Sequence, residues 1–208
     1  MKTFLSSVAA LAVLSLSACG FGAGIETVQA SDAVIVTGVI DAYTEEDLRE
    51  AVKSNPSASK LVLQYVPGSS DDEASLTGLS RFVRGSGLTT IVPANGMVAS
   101  GGTDLLTMGA VRIIEPGACI GVHTWAAGFN VSGADLPRNA PEHELYLQFY
   151  RDMGIDEAFY WFTLEAAGPD EIHWMSDAEI NRFKLSTTPL RSSVQETAEQ
   201  RAARCEMR

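Results

Sequence analysis

Short apolar runs separated by amphipathic stretches of helical length are the pattern that most restricts this chain. Ala33 to Ile40 (AVIVTGVI), Lys60 to Val66 (KLVLQYV) and Leu88 to Pro93 read as strands, with Val111 to Ile114 and Ala118 to Val122 as two shorter ones. After the first strand, Thr44-Glu45-Glu46-Asp47 is close to a capping box and opens a helix with Leu48, Ala51 and Val52 on one face, ended by Asn55-Pro56. After the second, Pro67-Gly68-Ser69-Ser70 forms a turn and a helix follows with Leu76, Leu79 and Val83 at helical spacing, up to Gly85. Strands separated by helices of about ten to fifteen residues indicate right-handed β-α-β units. The expected fold is therefore α/β with a mostly parallel sheet.

Beyond His123 the texture changes. Ala126 to Ala140 has the glycine, proline and polar content of an exposed loop, and Pro141 to Met153 and Asp156 to Ala167 read as two helices joined by Gly154. The second helix carries Phe159, Tyr160, Trp161 and Phe162 in succession, for core packing or for contact between subunits of a homo-oligomer. Ser176-Asp177-Ala178-Glu179 is a capping signature for a short helix. Residues 191–208 form a polar C-terminal tail, read as a frayed helix or disorder.

The chain opens with Lys2, an apolar run from Val8 to Leu16 and then Leu16-Ser17-Ala18-Cys19, a secretory signal too short to span as a mature helix. The Leu-Ser-Ala-Cys string resembles the lipobox of bacterial lipoproteins. That resemblance implies a signal peptide at 1–18, acylation of Cys19, a tether over 19–32 and a globular domain over 33–190. Gly20 stands where an aspartate would retain such a protein at the inner membrane, so the periplasmic face of the outer membrane is favoured. The net charge of −11 suits a soluble domain and argues against nucleic acid or a bare anionic lipid surface as ligand. Cys119 and Cys205 are expected as two unpaired thiols, one in an apolar strand and one in a polar tail, and the cysteines and histidines have no metal-ligand spacing.

Chemistry concentrates between Met97 and Trp125. Ser100 lies in a small-residue turn before an apolar helix, and His123 lies at the end of a strand. A serine hydroxyl needs a base to take its proton and N–H groups to hold the oxyanion. His123 and the Gly101 amide answer those needs. Singly, Ser100 reads as a helix cap and His123 as a polar strand end; together and in this order they read as a nucleophile and its base.

The series strand, helix, strand, Pro67-Gly68, helix, strand, Ala99-Ser100-Gly101-Gly102, Leu105-Leu106, Gly109, Arg112, Pro116, Gly121-Val122-His123 resembles the ClpP/crotonase-like superfamily, above all the Clp protease proteolytic subunit and its secreted relatives. The closing Trp174-Met175-Ser176-Asp177-Ala178-Glu179 and Phe183-Lys184-Leu185 runs are also similar, so the resemblance spans roughly residues 33–188. It implies a spiral of β-β-α units, Ser100 as nucleophile, His123 as general base, and an oxyanion hole from Gly101 with Gly68 or Ser69. No cofactor or metal is implied, and the substrate would be a peptide or ester.

Three departures stand out. Ser69 replaces a glycine of the turn, Ile172 occupies the place of the aspartate that orients the histidine, and no segment is present to dock an ATP-driven unfoldase. Asp170 is the nearest candidate orienter, with Asp104, one helical turn after Ser100, as a substitute. His143 and His173 read as ordinary exposed and partly buried histidines. Some membrane-associated members of the superfamily use a serine and lysine pair, but Lys53, Lys60 and Lys184 fall in segments remote from Ser100. A lipid-anchored binding protein that keeps the fold without completing the site is the alternative reading.

Overall fold

The computed structural model describes residues 24–127, 131–191 and 196–208. The signal sequence, Cys19 and the start of the tether lie outside the described residues. No helix among the described residues is long and apolar enough to cross a membrane.

The chain runs β1 (Ile25–Gln29), β2 (Ala33–Gly38), α1 (Thr44–Ser54), β3 (Lys60–Val66), α2 (Asp72–Ala74), a π-helical turn (Ser75–Leu79), α3 (Ser80–Gly85), β4 (Thr89–Val92), β5 (Met97–Ala99) and α4 (Gly101–Thr107). It continues through β6 (Val111–Ile114), β7 (Cys119–Val122), a small hairpin of β8 (Ala126–Ala127) and β9 (Val131–Ser132), α5 (Glu144–Met153), α6 (Glu157–Ala166), β10 (His173–Trp174), α7 (Asp177–Arg182) and α8 (Ala198–Glu206). The main sheet forks at β3. The first half of β3 pairs with β4, and β4 with β6, while Tyr65 and Val66 pair with β5, and β5 with β7, all in parallel. This forking produces the expected spiral of β-β-α units. Antiparallel strands β1 and β10 close the two ends of the β1-β2-β3-β5-β7-β10 path.

The apolar runs become strands because their side chains are buried: Val34, Val36, Leu61, Leu63, Val92, Val98 and Ile120 sit in one core with Leu48, Leu79, Leu105 and Leu106 from the helices. The Ser176 capping box is formed in both directions with Glu179, and Gly154 ends α5 in the left-handed conformation. The N-terminus of α1 differs. Tyr43 occupies the cap position without a side-chain bond, and the Thr44 hydroxyl instead donates to Asp41 at 3.0 Å.

Four further features depart from the sequence reading. Residues 25–29 of the supposed tether form β1, because pairing with β2 satisfies their backbone groups. Residues 97–99, only three long, form β5 between β3 and β7. The Ala126–Ala140 loop contains the β8/β9 hairpin and a 3₁₀ turn over Gly133–Asp135. The polar tail contains an ordered helix, α8, with a capping box between Thr197 and Gln200.

The two thiols are not free. Cys119 of β7 and Cys205 of α8 form a disulfide with a Cα–Cα separation of 5.7 Å across 86 residues of chain. Both sulfurs lie in a second apolar cluster with Met97, Ala99 and Trp174. Arginines supply what the tail lacks in apolar periodicity: Arg204 donates to the Gly117 carbonyl at 2.7 Å, Arg208 to the Gly96 carbonyl at 2.8 Å and Arg201 to the Met175 carbonyl at 2.5 Å. These acceptors lie beside the starts of β5 and β7 and at the end of β10, so the tail docks by hydrogen bonds as well as by burial. Cys119→Ser or Cys205→Ser is expected to lower unfolding free energy by about 2–5 kcal/mol. Urea denaturation of each variant, with and without reductant, checks this; only the parent should respond to reductant.

Candidate active site

Adjacent parallel strands place the expected residues at one end of the sheet. β3, β5 and β7 run side by side and finish at Val66, Ala99 and Val122, so Pro67-Gly68, Ser100 and His123 follow their C-terminal ends, the usual location of sites in parallel sheets. Ser100 has φ 53° and ψ −128°, a left-handed conformation that costs a non-glycine residue on the order of 1–3 kcal/mol. Local bonds hold it there: its N–H donates to the Gly121 carbonyl at 3.1 Å, and its own carbonyl accepts from Thr103 at 2.8 Å and Asp104 at 3.2 Å.

The glycines after Ser100 permit close packing. A Cβ on Gly101 would fall 2.4 Å from the Ser69 Cβ, and one on Gly102 only 1.9 Å from the Val66 carbonyl oxygen. The start of α4 is thereby pressed against the Pro67-Gly68-Ser69 turn, and the place of a Gly68 Cβ lies 3.7 Å from the Ser100 Cβ. Gly68, Ser69 and Gly101 therefore gather around Ser100. Their N–H groups donate to no acceptor among the described residues.

Ser100 and His123 line the same cleft, together with Asp72, Thr103, Asp104, Val122, Trp125, Tyr146, Tyr150, Tyr160 and Thr163. No hydrogen bond joins Ser100 to His123 directly. The buried Nδ1 of His123 has no partner. Burial pushes the His123 imidazolium below its ordinary pKa of 6.5, against the Thr124 main chain and the charges of Asp72 and then Asp170. His123 is thus neutral at pH 7, the form a general base requires.

Asp170 is exposed, in the loop after Gly168-Pro169, and lines a surface groove with Glu171, Ile172 and His173 instead of the cleft. It makes no hydrogen bond to His123. His173 is half-buried and pairs with Glu179 at 3.1 Å, while His143, read as an ordinary surface histidine, is 1 % exposed with Nδ1 2.6 Å from the Tyr160 hydroxyl. Lys53, Lys60 and Lys184 do not line the cleft.

Part of the cleft wall comes from residues that the sequence alone did not single out, Asp72, Tyr146 and Tyr150 among them. Trp125 stacks on Tyr146 at 5.5 Å and Tyr146 on Tyr160 at 5.4 Å, and the Trp125 indole N–H donates to the Tyr160 hydroxyl at 2.8 Å. Tyr146 and Tyr150, four apart on α5, donate to Asp72 Oδ2 at 2.6 Å and Asp104 Oδ1 at 2.5 Å. That i, i+4 tyrosine pair was the available signal, since it marks one helix face. Burial raises the Asp104 carboxyl from 3.8 to about 7; the Tyr150 hydrogen bond opposes this, and the charge of Asp72 adds to it.

This is the ClpP/crotonase-like fold: a forked, mostly parallel sheet wound into β-β-α units, with Ser100 and His123 at the ends of neighbouring strands. Two solved structures of a membrane-bound stomatin-specific protease, 1510-N, are similar to it. A serine-to-alanine form matches at 16% identity over 76% of this chain and 79% of that one, with a TM-score of 0.52. A lysine-to-alanine form in complex with a substrate peptide matches at 14% identity over 75% and 74%, with a TM-score of 0.50. At such identities the likeness is one of fold. No protein-family model matches the sequence, and no curated protein matches it significantly.

The raised Asp104 pKa has a consequence for stability. Between pH 3.8 and about 7 the unfolded chain has released a proton that the folded chain keeps, so this residue makes stability fall as pH rises through that window. Asp104→Asn is expected to flatten that fall. Melting temperature measured from pH 4 to pH 8 for parent and variant provides the check, and parallel curves would contradict it.

Proposed function

We propose that this protein is a serine hydrolase, specifically a peptidase, in which Ser100 is the nucleophile and His123 the general base. The observation that carries the reading is the placement of both side chains in one cleft from adjacent strand ends, with Ser100 in a left-handed turn at the start of α4. In this scheme the Ser100 hydroxyl adds to the substrate carbonyl as its proton passes to His123. The N–H groups of Gly101 and of Gly68 or Ser69 receive the oxyanion. Collapse of the tetrahedral intermediate breaks the bond to the leaving group, which takes the proton from His123. Water, deprotonated by His123, then releases the acyl group and regenerates Ser100.

His123 works here without a hydrogen-bonded carboxylate, in an arrangement closer to a dyad than to a triad. Asp72 and, after it, Asp170 act on it only through their charge. The scheme needs no cofactor, metal or ATP-driven partner. The same fold without the chemistry would serve as a binding protein, a reading favoured by the missing hydrogen bond between Ser100 and His123.

We further propose that the domain is a lipoprotein, anchored through Cys19 on the periplasmic side of the outer membrane. The Cys119–Cys205 disulfide supports an oxidising compartment. Cys19→Ser should move the protein from the membrane to the soluble fraction, with loss of acyl mass; unchanged fractionation and an unacylated parent would refute the anchor.

A fluorophosphonate probe should label Ser100 in the parent and not in Ser100→Ala. Ser100→Ala and His123→Ala should each lower hydrolysis by about 10³ or more, with the double variant little worse because the two act as a unit. The acid limb of the rate profile should fall below pH 6.5, following His123. Asp170→Asn should change kcat/KM by less than about tenfold; a loss near 10⁴, the scale of a triad aspartate, would restore it as the orienter. Absence of labelling and of activity would favour the binding protein.

A further inference from the structure

The end of the sheet that carries Ser100 is also the end at which the chain enters it. β1 runs antiparallel to β2, with Ile25 opposite Gly38, so its first residues lie where β2 finishes, beside the C-terminal ends of β3 and β5. Hydrogen bonds trace the path from there to the site. The Gly24 carbonyl accepts from the Val39 N–H at 3.2 Å, and the next residue, Ile40, donates to the Gly68 carbonyl at 2.9 Å and accepts from the Ser70 N–H at 2.7 Å. Gly68 is the residue packed against Ser100. In the order β1-β2-β3-β5, Gly24 is therefore roughly 15 Å from Ser100 at a strand spacing of about 4.8 Å.

The chain from Cys19 to Gly24 spans at most about 18 Å even when fully extended. With Cys19 anchored at the bilayer surface, Ser100 is held within roughly 35 Å of the membrane in every orientation of the domain. Two exposed aromatics lie at the same end of the sheet: Tyr43, 70 % exposed after β2, and Tyr65, 40 % exposed near the end of β3. Tyrosine suits a membrane–water interface, with its ring toward lipid and its hydroxyl toward water. Asp41, Glu45 and Glu46 flank Tyr43 in the chain, so the surface that fits this end is zwitterionic, and an anionic one is repelled.

We propose that the protein acts on polypeptides anchored in the membrane that holds it, cutting them within about ten residues of the bilayer, because the entry of the chain beside the site and its short tether confine Ser100 to that layer. The proposal rests on the hydrolase and lipoprotein readings and names the substrate class. Confinement to one surface raises the effective concentration of a membrane-borne chain over that of a soluble one, and a short tether keeps this gain for bonds close to the lipid.

The test reconstitutes the full acylated protein in phosphatidylcholine vesicles and compares one fluorophosphonate reagent in two forms, free in solution and carried on a phosphatidylethanolamine headgroup by a spacer of about 40 Å, enough to cover the bound on Ser100. Labelling of Ser100 is followed by mass spectrometry. At equal total concentration the lipid-borne form should label about tenfold faster or more. Insertion of about twenty Gly/Ser residues between Ala23 and Gly24 should cut that advantage by about threefold or more, while the free form labels parent and insertion variant equally and so shows the cleft to be intact. Equal rates for the two forms, or an advantage untouched by the insertion, overturns the proposal and leaves the hydrolase standing. Failure of the parent to float with the vesicles refutes the anchor and this placement with it. Labelling by neither form refutes the hydrolase itself, and the substrate class falls with it.

Discussion

The Gly121 carbonyl is the contact on which the candidate site depends. It accepts the Ser100 N–H at 3.1 Å and the Thr103 hydroxyl at 2.8 Å, so strand β7 holds the turn that follows β5. Two residues later β7 delivers His123. The left-handed backbone of Ser100 is offset by these bonds and by the two that its carbonyl accepts. The turn at Ser100 is thereby held by four hydrogen bonds, and its position relative to His123 is set by sheet register: Ala99 lies opposite Gly121.

The other side of the cleft is organised by burial and hydrogen bonding in competition. Asp104 is on the first turns of α4, where the helix field favours an anion, yet burial raises its carboxyl to about 7. The Tyr150 hydroxyl recovers part of that cost, and Tyr146 makes the matching bond to Asp72. Helix α5 is therefore pinned to α2 and α4 by two tyrosine–carboxylate bonds directly over the cleft. The polar atoms set the separation of these elements, and the stacked rings of Trp125, Tyr146 and Tyr160 fill the space between them.

On the far face, the disulfide and the arginines of α8 secure the same two strands from behind. Cys119 is four residues before His123, and Met97 and Ala99 of β5 pack in the cluster that contains Cys205. Glu196 links Arg201 at 3.2 Å and Arg204 at 2.8 Å, and its carboxyl is held below the usual range chiefly by Arg204. Support of the strands that carry Ser100 and His123 thus comes partly from the last residues of the chain.

Local pattern was enough to read much of this protein. Apolar runs and cap residues near in sequence determined β3, β6, α7 and the α5–α6 pair, because strand burial and helix capping are decided within a few residues. The order of motifs also singled out Ser100, His123 and the Pro67-Gly68 turn. Tertiary structure alone decided the rest. Residues 25–29 and 97–99 are too polar or too short to declare themselves strands; the first becomes one through a hairpin with the adjacent β2, the second only through β3 and β7, well separated from it along the chain. The pairing of Cys119 with Cys205 depends on an arginine-rich tail returning across the sheet, and no local signal encodes that path. Asp170 was chosen by proximity to a motif, whereas Asp72, Tyr146, Tyr150 and Tyr160 reach the cleft from three separate elements, and such convergence is a property of packing, not of spacing along the chain.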